Sequence, residues 1–157
     1  TIYIKLDTGM HRLGFEESQI DKLIAALKAN KLLVIKSVFS HLVSSEDPAD
    51  DNFTQQQADI FTRCCDKIQD ALQYTFIKHL SNYAAIARKP ELQFDMVRLG
   101  IGLYGVNTTD EQLDLKTVAS GKSTIAQIKH LQPGEMVGDY CCCKSDKPAT
   151  IATIRIC

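Results

Sequence analysis

Segments typical of β-strands alternate with segments typical of α-helices along the first part of the chain. The strand-like segments are residues 1–7, 31–42, 74–80 and 94–105, the last of which passes into a glycine-rich turn. The helix-like segments between them are residues 16–30, 53–72 and 81–88. Strands that are connected through helices pair in parallel, so the alternation predicts an α/β fold built on a parallel sheet.

The alternation stops at Gly105, and the rest of the chain has a different character. A polar linker, residues 106–115, is followed by strand-like segments at residues 116–131 and 149–156. This change predicts a second domain of a different class. The predicted domains are residues 1–110, which are α/β, and residues 111–157, which are the beginning of an all-β domain.

Charge and cysteine content exclude several classes of function. The 157 residues carry a net charge of −1, which gives no basic surface for nucleic acid or for an anionic membrane. No apolar run approaches the ~20 residues of a membrane-spanning helix, and the N-terminus lacks the order of a signal peptide. The six cysteines lack the paired spacing of zinc sites. We therefore predict a cytoplasmic protein with reduced thiols and no bound metal.

Polar side chains cluster where each predicted strand ends. The carboxyl ends of the strands of a parallel α/β barrel share one rim, where such folds carry their chemistry. For a single residue, such as His79, a role in the surface or the core is the alternative. Together the basic and amide groups favour a site for an anionic ligand. These residues are Lys5, Asp7 and Arg12 after the first strand, Ser40 and His41 after the second, His79, Ser81 and Asn82 after the third, and Arg98 in the fourth.

The sequence RLGIGLYG, residues 98–105, is a candidate phosphate-binding turn. Glycines let the backbone come close to a phosphate, whose oxygens accept several N–H groups. The spacing matches neither the dinucleotide-binding fingerprint nor the P-loop, and a turn that serves only packing is the alternative.

Four motifs, in this order, resemble the second half of the barrel of alanine racemases: KLDTGMHRLGF, VFSHL, HLSNYAAI and FDMVRLGIGLYG. The later STIAQIKHLQPGEMVG resembles the start of the C-terminal β-domain of those enzymes. Alanine racemases use pyridoxal 5′-phosphate (PLP) to interconvert L-alanine and D-alanine, and they supply D-alanine for peptidoglycan. The resemblance therefore implies a partial TIM (β/α) barrel, PLP as cofactor, alanine as substrate and a bacterial homodimer, in some members fused behind a cell-wall ligase.

The resemblance also implies roles for individual residues, with the catalytic ones at Lys5, Arg12, His41 and Arg98. Lys5, which is carbamylated in many members, would orient Arg12 near the substrate carboxylate. His41 would lie beside the pyridine ring of the cofactor. Arg98, hydrogen-bonded to His79, would face the pyridine nitrogen. The implied cofactor-binding residues are His41, His79, Asn82, Arg98, Gly100 and Ile101.

Racemisation also needs an acid/base group on each face of the substrate. In the family these are the lysine that binds PLP, which the resemblance places upstream of Thr1, and a tyrosine from the partner subunit, placed just after Cys157. The chain has no initiator methionine and begins within a predicted strand. We therefore expect it to be part of a longer protein and not to racemise alanine by itself.

Several positions depart from the family pattern. His11 stands where glycine is usual, and Tyr83 stands where a phosphate-binding serine is common. A non-catalytic PLP-binding barrel is therefore the alternative function. A decarboxylase on a related barrel is less favoured, because such enzymes place a carboxylate against the pyridine nitrogen and this chain offers Arg98. Further departures are residues 139–143, Arg155 and Cys157.

Overall fold

A computed structural model describes residues 1–138 and 143–155 of the chain. The chain divides into two compact units, Thr1–Val118 and Ala119–Cys157. The sequence departures at residues 139–142 and at Cys157 lie outside the described residues, as does the side chain of Cys143. None of the helices in the described ranges is long and apolar enough to cross a membrane.

Three parallel strands and three helices alternate in the first unit, which confirms the predicted α/β character. The strands form one sheet in chain order: β1 (Ile2–Lys5), β2 (Ile35–Phe39) and β3 (Ile77–His79). The helices are α1 (Ile20–Ala29), α2 (Asp51–Leu72) and α3 (Tyr83–Arg88). Short 3-10 helices lie at Glu17–Gln19, Pro48–Asp50, Pro90–Leu92 and Ile101–Tyr104.

The predicted strand over residues 94–105 is not formed. The carboxylate of Asp95 accepts the Lys78 N–H at 2.8 Å, in the place where a neighbouring strand would offer a backbone carbonyl. Two backbone bonds still hold the segment beside the end of β3, from Asp95 N to Lys78 O (3.1 Å) and from Arg98 N to Ser81 O (3.0 Å). The strand prediction is therefore wrong, but Arg98 reaches the expected end of the sheet.

The second predicted strand, residues 31–42, forms only over its middle part as β2. Leu32 is 88% exposed, and Leu33 N donates to Asn30 O in a turn before the strand. Within β2 the adjacent residues Ser37 and Val38 are both buried, so the strand is covered on both faces there, as its apolar sequence predicts.

Each of the two long helices buries one face in a common core with the sheet. The buried positions of α1 recur at helical spacing, as the sequence predicts: Ile20, Leu23, Ile24 and Leu27. Phe61 and Ile68 of α2 are fully buried in the same core as Ile4 and Val38 of the sheet. Each such side chain contributes about 1.5–3 kcal/mol of transfer free energy. Burial raises the pKa of Cys64 to about 11 and that of Cys65 to about 12, so both thiols stay protonated.

Two polar side chains, Thr54 and Gln57, interrupt the buried face of α2. Gln57 Nε2 donates to Thr8 Oγ1 (3.3 Å), Thr8 donates to Ser40 Oγ (2.9 Å), and Ser40 Oγ donates to Leu6 O (2.8 Å). The donor and acceptor of each of these hydrogen bonds are fixed, because the single hydroxyl proton of Ser40 goes to Leu6 O and Ser40 Oγ must therefore accept from Thr8. Thr54 Oγ1 is buried without a hydrogen-bond partner among the described residues. The hydroxyl chain thus ties α2 to the ends of β1 and β2.

A pair of matched substitutions tests this hydroxyl chain. Thr8→Val is expected to lower the free energy of unfolding by about 1–3 kcal/mol, because it leaves a buried donor of Gln57 without its acceptor. Thr54→Val makes the same change of shape at a hydroxyl with no partner, and we expect it to be neutral or stabilising by up to about 1 kcal/mol. Urea unfolding followed by circular dichroism compares the two. Equal losses in both variants would show that the hydroxyl chain does not stabilise the fold.

The second unit consists of two antiparallel strand pairs in its described part. β4 (Ile125–Leu131) pairs with β7 (Ala149–Ile154), and β5 (Met136–Val137) pairs with β6 (Cys143–Lys144). No helix occurs among the residues described between 119 and 155.

The predicted linker, residues 106–115, packs with the first unit. Asn107 Oδ1 accepts the Tyr83 hydroxyl proton at 2.9 Å. Further along, Val118 N donates to Tyr104 O at 3.4 Å. The contacts divide the chain after Val118.

Candidate active site

Each of the three parallel strands contributes one side chain, at its carboxyl end, to a row that runs across the sheet. Lys5, Phe39 and His79 are register partners on β1, β2 and β3, so they lie on the same face of the sheet. The rings of Phe39 and His79 stack, with centroids 4.9 Å apart and planes 5° apart. The Arg98 guanidinium carbon lies 5.6 Å from the centre of the Phe39 ring.

Arg98 is held from two sides by the ends of β2 and β3. Its Nη1 donates to His79 Nδ1 (2.8 Å) and to His79 O (3.2 Å). Its Nη2 donates to Ser40 O (2.6 Å) and to Leu80 O (3.1 Å), and lies 3.4 Å from His41 Nδ1. The expected hydrogen bond between His79 and Arg98 is thus present. No carboxylate forms an ion pair with Arg98 in the part of the chain that the structure describes.

The contacts of His79 fix its protonation state. A guanidinium has only donors, so Nδ1 of His79 accepts the bond from Arg98 and carries no proton. The remaining ring proton is on Nε2, which lies 3.1 Å from Ser37 Oγ. His79 is therefore a neutral imidazole that donates to a buried serine. From the sequence, neither Ser37 nor Phe39 was predicted to contact His79, because both lie inside a predicted strand that is a nearly continuous apolar run.

Both histidines of the site are held neutral. Burial, followed by the charge of Arg98, lowers the pKa of His41 and that of His79 below the usual range. Arg12 and Lys5 lower the pKa of His41 further, against a smaller opposing effect of Glu46. The site thus accumulates positive charge on arginine and lysine and keeps its imidazoles uncharged, which suits an anionic ligand.

The motif KLDTGMHRLGF, residues 5–15, leaves the end of β1 and returns to it. Phe15 N donates to Lys5 O and Asp7 N donates to Phe15 O, each at 2.9 Å. The Asp7 carboxylate accepts the N–H groups of Gly9 and His11, both at 3.0 Å. His11 has a φ of 52°, in the left-handed region that favours glycine, which gives a physical reason for the glycine expected at this position.

Lys5 and Arg12 contribute the positive charge at the β1 side of the site. Lys5 Nζ donates to Leu13 O at 3.0 Å, within the returning loop. Burial lowers the pKa of Lys5, and the charges of Arg12 and Arg98 lower it further, against the raising effect of Asp7. Arg12 is exposed and forms no ion pair among the described residues. The two side chains therefore lie within electrostatic reach of each other without a direct bond.

A cavity of about 410 Å³ adjoins Arg98. Asn82 lines this cavity, and its Oδ1 accepts bonds from Ala85 N (3.1 Å) and Ser45 Oγ (2.7 Å). Its Nδ2 makes only a 3.5 Å contact, to Leu42 O. A Cβ added at Gly100 would meet nothing within 4 Å, so the cavity is open at that position. The predicted residues among its lining are His41, Asn82, Arg98, Gly100 and Ile101.

Tyr83 also lines the cavity, but its ring is fixed against the neighbouring turn. Its hydroxyl donates to Asn107, and a Cβ at Gly102 would lie 2.3 Å from the Tyr83 ring. The conformation of the turn therefore depends on glycine at position 102. The sequence identified Tyr83 only as a departure from a pattern, because its partner Asn107 lies in a segment read as a linker.

Comparisons with known proteins are consistent with this fold. Residues 1–108 match the family model of the alanine racemase N-terminal domain. The alanine racemase of Clostridium tetani (strain Massachusetts / E88) is 37% identical over 163 aligned residues, which cover 99% of this chain and 41% of that protein. The solved alanine racemase of Clostridium difficile 630 has a TM-score of 0.66 at 29% identity, covering 96% of this chain and 40% of its own. That of Bartonella henselae, with covalently bound pyridoxal phosphate, has a TM-score of 0.63 at 30% identity, covering 98% and 42%.

These findings define the class of protein. The first unit has an α/β fold similar to part of the barrel of alanine racemase N-terminal domains. The chain belongs to the alanine racemase family. It spans about 41% of the length of the curated relative from Clostridium tetani.

Proposed function

We propose that this chain forms part of the PLP site of an alanine racemase that interconverts L-alanine and D-alanine. The observation that carries the proposal is the environment of Arg98. Three backbone carbonyls and one imidazole hold its guanidinium at the end of the sheet, next to His41 and the cavity. The donors of Arg98 and the charge of Arg12 fit a phosphorylated, carboxylate-bearing ligand.

PLP, when bound, supplies an electron sink for the electron pair left on the α-carbon of the amino acid. Arg98 does not give up a proton, so a cofactor ring nitrogen held beside it would stay unprotonated and would accept a hydrogen bond. The Nε of Arg98 has no partner among the described residues and is the donor left for that nitrogen. His79, by accepting from Nη1, holds the plane of the guanidinium.

Lys5 and Arg12 would serve the substrate carboxylate. The lowered pKa of Lys5 increases its neutral fraction, and a neutral amine adds to carbon dioxide with release of a proton. The resulting carbamate would be an anion that orients the Arg12 guanidinium. Asn82, with its weakly engaged Nδ2, and the backbone of Gly100 and Ile101 would hold the cofactor phosphate.

The complete proposal is a cytoplasmic, homodimeric enzyme that supplies D-alanine for peptidoglycan. Residues 111–157 would form the start of its C-terminal β-domain. Catalysis would require two acid/base groups in addition to the residues described above.

Binding of pyridoxine 5′-phosphate tests the cofactor site, because this analogue lacks the aldehyde that reacts with surface lysines. Titration calorimetry is expected to show saturable binding to the wild-type chain and at least ~10-fold weaker binding to Arg98→Glu, in which a carboxylate faces the ligand. Arg155→Glu makes the same change at an exposed arginine of the second unit and should bind like the wild type. Equal affinity of all three proteins would contradict the proposed site.

Racemisation is measured separately, as D-alanine formed from L-alanine and PLP by the protein from the complete reading frame. Formation of D-alanine supports the enzyme. Ligand binding without formation of D-alanine would support the second candidate, a non-catalytic PLP-binding barrel. The observation in favour of this candidate is the position of Tyr83 in the cavity wall.

A further inference from the structure

Gln57 is a fully buried amide whose polar atoms are all engaged near the end of β2. Its Nε2 donates to His41 O (3.1 Å) and to Thr8 Oγ1 (3.3 Å). Its Oε1 accepts the Val43 N–H at 3.0 Å. One side chain of α2 therefore holds the backbone on both sides of Leu42.

The backbone carbonyls of Ser40 and His41 are bound from different elements. Ser40 O accepts from Arg98 Nη2 at 2.6 Å, and His41 O accepts from Gln57 Nε2. The Ser40 hydroxyl is fixed between Thr8 and Leu6 O. Since a peptide unit is planar, two anchored carbonyls in succession fix the Cα position of His41 and the direction of its Cα–Cβ bond.

We propose that Gln57 is a positioning residue, which holds the Ser40–His41 backbone so that the His41 imidazole lies against Arg98. It has no hydrogen bond to the imidazole or the guanidinium, and it acts through the His41 carbonyl, the Val43 N–H and, by way of Thr8, the Ser40 hydroxyl. The role gives a reason for a buried amide at this position of α2, where every polar atom of Gln57 is paired. The consequence for cofactor affinity rests on the proposed function, whereas the positioning of His41 does not.

The pKa of His41 measures this positioning directly. Burial and the nearby charges of Arg98, Arg12 and Lys5 lower it, and the charge of Glu46 opposes them. If the backbone at His41 loosens, the ring becomes better solvated and moves from Arg98, so its pKa rises. A loss of stability without displacement of the ring would leave the pKa unchanged.

The test is an NMR titration of the histidine rings in the full chain. Gln57→Met keeps the length of the side chain and removes all three hydrogen bonds, and Gln56→Met is the matched control at an exposed position. We expect the pKa of His41 to rise by about half a pH unit in Gln57→Met only. His130 of the second unit serves as the internal reference. An unchanged His41 pKa in folded Gln57→Met would overturn the proposal.

A measurement on the wild-type chain keeps the proposal testable if Gln57→Met does not fold. The side-chain amide protons of Gln57 and the backbone N–H of Val43 are expected to exchange with solvent at least ~10-fold more slowly than the side-chain amide protons of Gln56. Equal exchange rates would overturn the proposal.

In folded Gln57→Met, pyridoxine 5′-phosphate is expected to bind several-fold more weakly than in the wild type. If the wild type does not bind it at all, the proposed function fails, and the His41 titration still decides the role of Gln57.

Discussion

Replacing Arg98 with leucine is expected to lower the free energy of unfolding of the first unit by about 2–4 kcal/mol. The substitution leaves the carbonyls of Ser40 and Leu80 and the Nδ1 of His79 without their donor. Water can reach some of these groups, since Arg98 is only partly buried, and this keeps the loss below the sum of the separate bonds. Arg98→Lys keeps the charge, but its single nitrogen cannot donate to both sides, so we expect about half of the loss.

Arg63→Leu is the matched control for this experiment. Arg63 makes a bidentate ion pair with Glu17, but the two side chains are 57% and 49% exposed. Exposed pairs contribute little, so urea unfolding should show a loss of no more than about 1 kcal/mol. A loss in Arg98→Leu as small as that in Arg63→Leu would mean that the contacts of Arg98 do not hold the strand ends together.

The pH dependence of stability provides a second readout for Arg98. The folded-state pKa values of His41 and His79 are lowered, so below about pH 6.5 the unfolded chain binds more protons than the folded chain. Stability contributed by the neutral imidazoles is therefore present above that pH and is lost as the pH falls through the lowered folded-state values. Without the charge of Arg98 these values rise, so the acid-side loss is expected to be smaller in Arg98→Leu. An equal or steeper loss would contradict the assigned cause.

The sequence predicted what repeats along the chain and missed what depends on single contacts. The spacing of Ile20, Leu23, Ile24 and Leu27 is enough to predict both α1 and its buried face. By contrast, the failure of the strand at residues 94–105 depends on the carboxylate of Asp95 meeting one backbone N–H. Such a contact joins positions far apart in sequence, and no periodicity reports it.

The candidate site likewise contains residues that the sequence predicted and one that it did not. Lys5, His79 and Arg98 were predicted to share a rim, because parallel strands place their carboxyl ends together. Gln57 was not predicted, since its sequence QQQ offers three equal residues and only the fold selects the buried one. The signal available was its spacing, three residues after Thr54 and four before Phe61 on the buried face of α2.

Gly14→Ala is expected to destabilise the first unit by about 3–4 kcal/mol, because the position combines an unfavourable φ with a backbone collision. Gly14 has a φ of 121°, and an added Cβ would lie 2.7 Å from the carbonyl carbon of Leu6 and 2.8 Å from Asp7 N. No rotamer change can relieve contacts with backbone atoms, so the bonds between Phe15 and the end of β1 must break.

The damage from Gly14→Ala should also reach the site, because the same loop carries Arg12 and the carbonyl of Leu13 that Lys5 binds. We therefore expect weaker binding of pyridoxine 5′-phosphate together with the lower urea midpoint. Gly121→Ala is the control, since a Cβ there meets nothing within 4 Å and its φ lies outside the left-handed region that favours glycine. If Gly14→Ala unfolds at the same urea concentration as Gly121→Ala, the returning loop cannot be what fixes Lys5 and Arg12 at the end of β1.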